Sequence, residues 1–164
     1  MKIDRQRRQC GGGKLMYWGV VMPNGLVSLI KVERNFNSEK YIQMLRNYAV
    51  KLLNLNMNPP FYFVQDNSRV HTSKKAMAFL QKQNFRVLDW PAKSLDINLM
   101  ENVWKSISDL VYRDLHLHNI TELEAKILAA VYVLNSEKRS VILSLYRSFR
   151  QRLTKLLVKN GNIV

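Results

Sequence analysis

The chain has 164 residues, 47% of them hydrophobic and 10% aromatic, so we expect one domain with a sizeable core rather than a disordered chain. No apolar stretch approaches the ~20 residues that a membrane-spanning helix needs, and we expect no membrane partner. Its single cysteine excludes an internal disulfide framework. Lysine and arginine number 26 against 12 acidic residues, a net charge of +14. This charge favours a polyanionic partner such as nucleic acid, but it also fits a basic soluble protein.

The chain begins with a basic segment that closes on three glycines. We expect a flexible lead-in over residues 1–13 and one domain over residues 14–164. Directly after the glycines, the apolar stretches "KLMYWGVV" and "LVSLIKV" flank "MPNG". Because Asn24 and Gly25 tolerate the positive φ of a tight turn, this pattern predicts a β-hairpin.

The middle of the chain alternates between helical and strand patterns. Asn37 or Ser38 can cap a helix whose apolar residues recur at helical spacing. These apolar residues are Tyr41, Leu45, Tyr48, Leu52 and Leu55. A short apolar strand, "FYFV", then follows two prolines, a second helix begins near Thr72, and "FRVLDW" is a further strand that ends at Pro91.

Three more helical patterns complete the chain. The first begins at Leu99 and has one apolar face. Thr121 and Glu124 form a capping box for the second, and the third carries apolar residues on one side and basic residues over much of the rest. A hairpin followed by strand–helix alternation predicts an α/β fold, with a mixed sheet flanked by helices.

Two carboxylates lie at the boundaries of predicted elements. Asp66 lies two residues after the short apolar strand, where an ordinary turn residue is the alternative interpretation. Glu101 lies in the first turn of a helix, where it can instead form a capping pair with Asn98. Adjacent parallel strands would bring both carboxylates to one edge of the sheet. Two carboxylates on rigid elements suit a divalent metal such as Mg²⁺, although a two-metal site usually has a third.

Three segments in fixed order resemble a known family. They are "GGGKLMYWGVV", "FVQDNSRVHTSK" and "LDWPAKSLDINLMENVWKSI", and 34 residues lie between Asp66 and Glu101. The pattern resembles the catalytic domain of mariner-superfamily cut-and-paste DNA transposases. The resemblance runs from about Cys10 to the closing segment "RSFRQRLTKLLVKNGNI".

The resemblance implies an RNase H-like fold and Mg²⁺- or Mn²⁺-assisted cleavage and transfer of DNA strands. It makes Asp66 the second and Glu101 the third carboxylate of a D-D-E triad, and both would be metal ligands, with Asp96 as the substitute. Other residues match motif positions that shape the site. They are Asn67, His71, Asp96, Asn98 and Asn102.

Partners and location follow from the same resemblance. DNA would be the partner, and the basic residues of the last helix are either contacts to the DNA backbone or a solvated face. These are Arg147, Arg150, Arg152 and Lys155. The resemblance implies a nuclear protein without a small-molecule substrate, and it leaves a homo-oligomer open.

The chain departs from the family pattern in three respects. The family's first aspartate lies on a strand upstream of the three glycines, where this chain has only Asp4 in a basic stretch without a strand pattern. The helix-turn-helix region of the family has no counterpart, and Leu95 and Leu99 replace two loop prolines. We therefore expect an N-terminally truncated catalytic domain that lacks its first strand and is inactive alone.

Three other interpretations remain. The chain could be a catalytically dead basic module that binds DNA or a partner chain, or a translated remnant without function. A stand-alone RNase H-like nuclease is disfavoured, because it too needs the missing carboxylate.

Overall fold

The computed structural model describes residues 15–51, 62–88, 98–113 and 117–159, with side chains of the last helix described to residue 149 and at Gln151. The predicted lead-in, residues 1–13, lies outside these ranges. The chain divides into two compact units. Residues 33–98 belong to one, and residues 1–32 and 99–164 belong to the other.

In chain order, the elements are β1 (Met16–Val21), β2 (Val27–Val32), α1 (Ser38–Met44) with a π-helical turn (Leu45–Ala49), β3 (Tyr62–Phe63), α2 (Lys74–Lys82), β4 (Arg86–Val87), α3 (Leu99–Val111), α4 (Ile120–Asn135) and α5 (Arg139–Lys159). Within the described ranges, no helix is both long and apolar enough to cross a membrane.

The predicted hairpin is confirmed. β1 and β2 pair antiparallel, from Met16 opposite Val32 to Val21 opposite Val27. Gly25 in the turn has φ +83° and donates its amide to the Met22 carbonyl at 2.8 Å. A side chain there would be strained, which is why a glycine in this position favours the turn.

The three long helices pack with the hairpin around one apolar core. α3 contacts β1, α4 and α5, and α4 also contacts β2. The apolar face predicted for α3 is confirmed, since its buried residues recur at helical spacing. The buried core consists of Val27, Val103, Ile107, Val111, Ala130, Leu134 and Ile142.

Side chains from α4 and α5 close the two outer edges of the hairpin. The Asn135 amide accepts from the Val27 amide at 2.8 Å and donates to the Val27 carbonyl at 2.9 Å. The Tyr146 hydroxyl donates to the carbonyl of Val21 at 2.7 Å. Val21 and Val27 lie opposite each other in the hairpin, and their backbone N–H and C=O groups point outward. The side chains of Asn135 and Tyr146 therefore bond to backbone groups that a neighbouring strand would otherwise satisfy.

Replacing Asn135 with alanine should destabilise the protein by about 1–3 kcal/mol, because it removes the side-chain partners of both backbone groups of the buried Val27. Urea unfolding at equilibrium measures this loss. Asn47→Ala is the matched control on an exposed helical position and should stay within about 0.5 kcal/mol of the parent. Equal stability of the two variants would show that the Val27 groups need no protein partner.

The capping box predicted at Thr121 and Glu124 is wrong. α4 begins earlier, and the Asn119 side chain caps it by accepting from the Glu122 amide at 2.8 Å. Glu124 instead forms an ion pair with Lys31 of β2 at 2.7 Å. Asn119 is as good a cap as Thr121 and also has a glutamate three residues later. The sequence therefore offers two equivalent start positions for this helix.

In the second unit, α1 begins as predicted, with the Asn37 side chain accepting from the Lys40 amide at 2.9 Å. The prediction that Tyr48 lies on the apolar face is wrong, because Tyr48 is 56% exposed whereas Ala49 is fully buried. The helix continues into a π-helical turn, whose i→i+5 hydrogen bonds hold one extra residue and shift the buried face by one position. Leu52 and Leu55 lie outside the described residues.

β3 and β4 pair parallel, which confirms the predicted strand–helix–strand unit. The buried rings of Phe63 and Phe85 lie 5.3 Å apart. α2 connects the two strands and is capped by Ser73, whose hydroxyl accepts from the Ala76 amide at 3.3 Å. The described strands therefore form two two-stranded sheets, one antiparallel and one parallel, flanked by helices, in line with the predicted α/β class.

Candidate metal centre

Asp66 lies in the connection that leaves the carboxyl end of β3. Phe63 is the last strand residue and is buried, while the Asp66 side chain is 56% exposed. The carboxyl ends of parallel strands are where open α/β folds collect functional groups. The fold thus places a solvent-accessible carboxylate at such an edge.

Two donors hold the Asp66 carboxylate. The Ser68 amide donates to Oδ1 at 3.1 Å, and Nδ1 of His71 lies 2.5 Å from the same oxygen. Partial burial by itself would raise the pKa of Asp66, but these two donors outweigh it and hold the pKa below its usual value. Asp66 is therefore ionised at neutral pH. The turn interpretation is also correct, because the bond to Ser68 is a local aspartate turn.

The imidazole of His71 is fixed by its surroundings. Its side chain is only 16% exposed, and its ring lies 4.5 Å from the buried ring of Tyr41. Its carbonyl accepts from Nε2 of Gln65 at 3.2 Å, and its amide donates to the Ser68 hydroxyl at 3.4 Å. The His71 ring thus contacts Asp66 from a backbone position that hydrogen bonds to Gln65 and Ser68 fix.

Sequence reasoning missed two residues of this network. The Tyr41 hydroxyl donates to Oε1 of Gln65 at 2.7 Å, and Gln65 in turn holds His71. Burial, with a smaller contribution from the charge of Asp66, raises the pKa of Tyr41, so its hydroxyl keeps its proton and can donate. The sequence pattern predicts Tyr41 only as an apolar residue of the buried face of α1. A tyrosine on a buried helix face is nevertheless a signal, since its hydroxyl needs a polar partner.

Glu101 is exposed in the first turn of α3, as predicted. This turn is anchored against β1 by a close approach at Gly19. A Cβ atom at Gly19 would clash with Cε of Met100 and lie 3.0 Å from the Trp104 ring and 3.1 Å from Leu29. The lack of a bulky side chain at Gly19 lets the helix lie this close to the strand, so this residue of the "YWG" segment helps to place Glu101.

The other predicted residues are placed as follows. Asn67 is exposed beside Asp66, and Asn98 directly precedes α3. Asn102 is half-buried in α3, and its carbonyl accepts from the Ser106 hydroxyl at 3.0 Å. Asp96 lies outside the described residues. Arg147 is exposed on α5, while the side chains of the three other basic residues fall outside the described part. Those are Arg150, Arg152 and Lys155.

The donor set suits a hard divalent cation. A carboxylate has about four acceptor positions, so Asp66 can keep its bonds to Ser68 and His71 and still ligate a metal. An ionised ligand is also what metal binding needs. No three histidine, cysteine, aspartate or glutamate side chains within the described ranges group closely enough to form a metal cage. Asp66 and Glu101 belong to different units, so a metal shared between them stays a prediction.

Comparison with known proteins decides the family. The sequence model of the family described as DDE superfamily endonuclease matches residues 2–124. The chain belongs to this family. The matched range includes Asp66 and Glu101 but not the basic residues of α5.

This endonuclease-family chain also resembles curated transposases. It is 31% identical to the transposable element Tc3 transposase of Caenorhabditis elegans over 157 residues, which are 95% of this chain and 47% of that protein. The Tcb2 transposase of Caenorhabditis briggsae is 29% identical over 97 residues, 59% of this chain and 36% of that protein. The chain therefore spans about half the length, or less, of these relatives.

Solved structures show the fold. The crystal structure of the catalytic domain of Mos1 mariner transposase has a TM-score of 0.70 at 15% identity, over 93% of this chain and 82% of that one. The Mos1 catalytic domain with raltegravir and Mg has a TM-score of 0.67 at 17% identity, over 86% of this chain and 73% of that one. This endonuclease-family chain therefore shares the RNase H-like fold of the Mos1 mariner catalytic domain, as the motifs predicted.

Proposed function

We propose that the chain is the catalytic part of a cut-and-paste DNA transposase, in which Asp66 and Glu101 hold divalent metal for cleavage and transfer of DNA strands. The observation that carries the proposal is Asp66. It is ionised, exposed and fixed by two donors at the carboxyl end of a parallel strand, inside the range that matches the endonuclease family. Mg²⁺ or Mn²⁺ is the proposed metal, because Mos1 catalytic domains are described with Mg and with Mn.

Each residue has a definite part in this proposal. When bound, the metal would polarise the phosphate and lower the pKa of an attacking water. Asp66 supplies an ionised oxygen ligand whose direction is set by Ser68 and His71. Glu101 supplies a second carboxylate from a helix turn anchored at Gly19. Asp96 remains the substitute ligand, with Asn67, Asn98 and Asn102 shaping the rim.

Metal binding tests the proposal directly. Titration of the purified chain with Mn²⁺, followed by electron paramagnetic resonance, should give an affinity that falls at least tenfold in Asp66→Ala and in Glu101→Ala, because a lost ligand costs more than the roughly 10–100-fold loss of an outer hydrogen-bond partner. Asp109→Ala is the matched control, since Asp109 is an exposed acid two turns further along α3. Unchanged affinity in Asp66→Ala would refute the metal assignment.

The second proposal is that DNA is the partner and is contacted through its backbone. The net charge is +14, and α5 carries four of the basic residues proposed for this contact. If each of the four contacts one phosphate, duplex affinity should fall about 100-fold between roughly 50 and 200 mM salt, because each contact releases a counterion. Affinity should depend little on sequence, since phosphate contacts do not read bases.

A duplex titration at the two salt concentrations, with two unrelated sequences, measures this binding. Arg147→Ala should lower the salt slope by about one unit. The matched control is Arg34→Ala, an exposed arginine of the other unit. Salt-insensitive binding, or a strong preference for one sequence at the higher salt concentration, would contradict the backbone-contact proposal.

The alternative function is a basic DNA-binding or partner-binding module without catalysis. The net charge favours it, and DNA binding without any Mn²⁺ site would support it over the first proposal.

For either function we propose a nuclear location, which exclusion of a tagged chain from the nucleus would contradict. A homo-oligomer is proposed as the assembly, and a monomer in sedimentation equilibrium would count against it.

A further inference from the structure

One hydrogen-bonded network runs from the core of the second unit to the Asp66 carboxylate. The Tyr41 hydroxyl bonds to Gln65 at 2.7 Å, Gln65 bonds to the His71 carbonyl at 3.2 Å, and the His71 ring bonds to Asp66 at 2.5 Å. Tyr41 is fully buried in α1, and Asp66 is exposed. The network thus connects a rigid interior position to a carboxylate that would otherwise be held only by the Ser68 amide.

The direction of each bond follows from the groups involved. The His71 carbonyl can only accept, so Gln65 must turn its amide nitrogen toward it and its oxygen toward the Tyr41 hydroxyl. An ionised carboxylate also only accepts, so the nitrogen of His71 that faces Asp66 must carry a proton. This places the donor on Nδ1 and excludes Nδ1 as a metal ligand while the bond lasts.

The ring contact adds a second restraint. The Tyr41 and His71 rings lie 4.5 Å apart at 42°, and the His71 side chain is largely buried. Rotation of the imidazole away from Asp66 would break both this packing and the bond. Tyr41 therefore holds His71 twice, through its ring directly and through Gln65 at the backbone.

We propose that His71 is a positioning residue that orients Asp66 for metal binding, and that Tyr41 and Gln65 hold His71 in place for this task. The inference rests on the proposed metal role of Asp66, and it adds a residue of α1 that has no contact with the metal. His71 acts through Asp66 and does not touch the reacting atoms.

Mn²⁺ affinity of folded variants, with folding checked by circular dichroism, tests the orienting role. His71→Ala should weaken Mn²⁺ binding about tenfold or more, the usual cost of losing an outer partner, whereas His71→Asn should recover most of this loss because its amide can donate from nearly the same position as Nδ1. Tyr41→Phe keeps the ring and should weaken binding by a smaller factor. His118→Ala, which removes an exposed histidine of the other unit, should have no effect.

A metal-free measurement keeps the inference separate from the proposed function. Nitrogen–proton correlation spectra at about pH 8, where an ordinary imidazole is neutral, should show His71 protonated at Nδ1, and this signature should disappear in Asp66→Ala. If Asp66→Ala leaves Mn²⁺ affinity unchanged, the proposed metal role of Asp66 fails. These spectra still test whether His71 donates a hydrogen bond to Asp66. An Nε2-protonated His71, or His71→Ala that binds Mn²⁺ as the parent does, would overturn the inference.

Discussion

Supercoiled plasmid incubated with the purified 164-residue chain and Mg²⁺ or Mn²⁺ should remain intact. The family resemblance implies a mechanism in which three carboxylates hold two metals, and the motifs of this chain match two of them, Asp66 and Glu101. No group of three such ligands forms among the described residues. Without a third ligand, the metal that activates the nucleophile would be loosely held, and loss of such positioning and charge stabilisation costs orders of magnitude in rate.

The control for this assay is Asp66→Ala, which should give the same intact plasmid. Nicking by the parent chain that disappears in Asp66→Ala would contradict the expectation. It would also show that another acid supplies the third ligand, and Asp4 and Asp96 are the candidates. Both lie outside the described residues, so separate alanine variants of each would then identify the ligand.

Gly19→Val should destabilise the protein by about 3 kcal/mol, because overpacking a close-packed contact usually costs about 1–3 kcal/mol and sometimes more. The first added carbon would already lie 3.0 Å from the Trp104 ring and 3.1 Å from Leu29. Met100 lies nearer still, but only the flexible end of its side chain is involved. The branched side chain of valine would push the start of α3 away from β1, and this turn carries Glu101.

The matched comparison is Gly19→Ala, followed by urea unfolding. Its single carbon is accommodated mainly by moving the end of Met100, and alanine loses less backbone entropy than glycine on folding, so the change should stay within about 1 kcal/mol. If valine is tolerated as well as alanine, the contact between β1 and α3 is looser than the 3.0 Å approach indicates, and Gly19 has no part in placing Glu101.

Features that depend on neighbours along the chain were predictable from the sequence. The hairpin turn follows from Asn24 and Gly25, the start of α1 follows from Asn37, and the position of Asp66 follows from the apolar run before it. Each is decided by local backbone conformation or by hydrogen bonds between residues only a few positions apart in sequence. The family resemblance, carried by short ordered motifs, was predictable for the same reason.

Features that depend on partners distant in sequence were decided only by the tertiary structure. Tyr41 and Gln65 are 24 residues apart, and Asn135 and Val27 are 108 apart; nothing local to any of them indicates the other. From the sequence alone, Glu124 could cap a helix. In the structure it instead forms an ion pair with Lys31 of β2.

The sequence by itself thus determined the family, the turn, the apolar face of α3 and the carboxylate that follows β3. The tertiary structure decided which side chains hold that carboxylate and which close the hairpin edges. The physical reason is that a buried polar group must find a partner, and which partner it finds depends on how the elements pack.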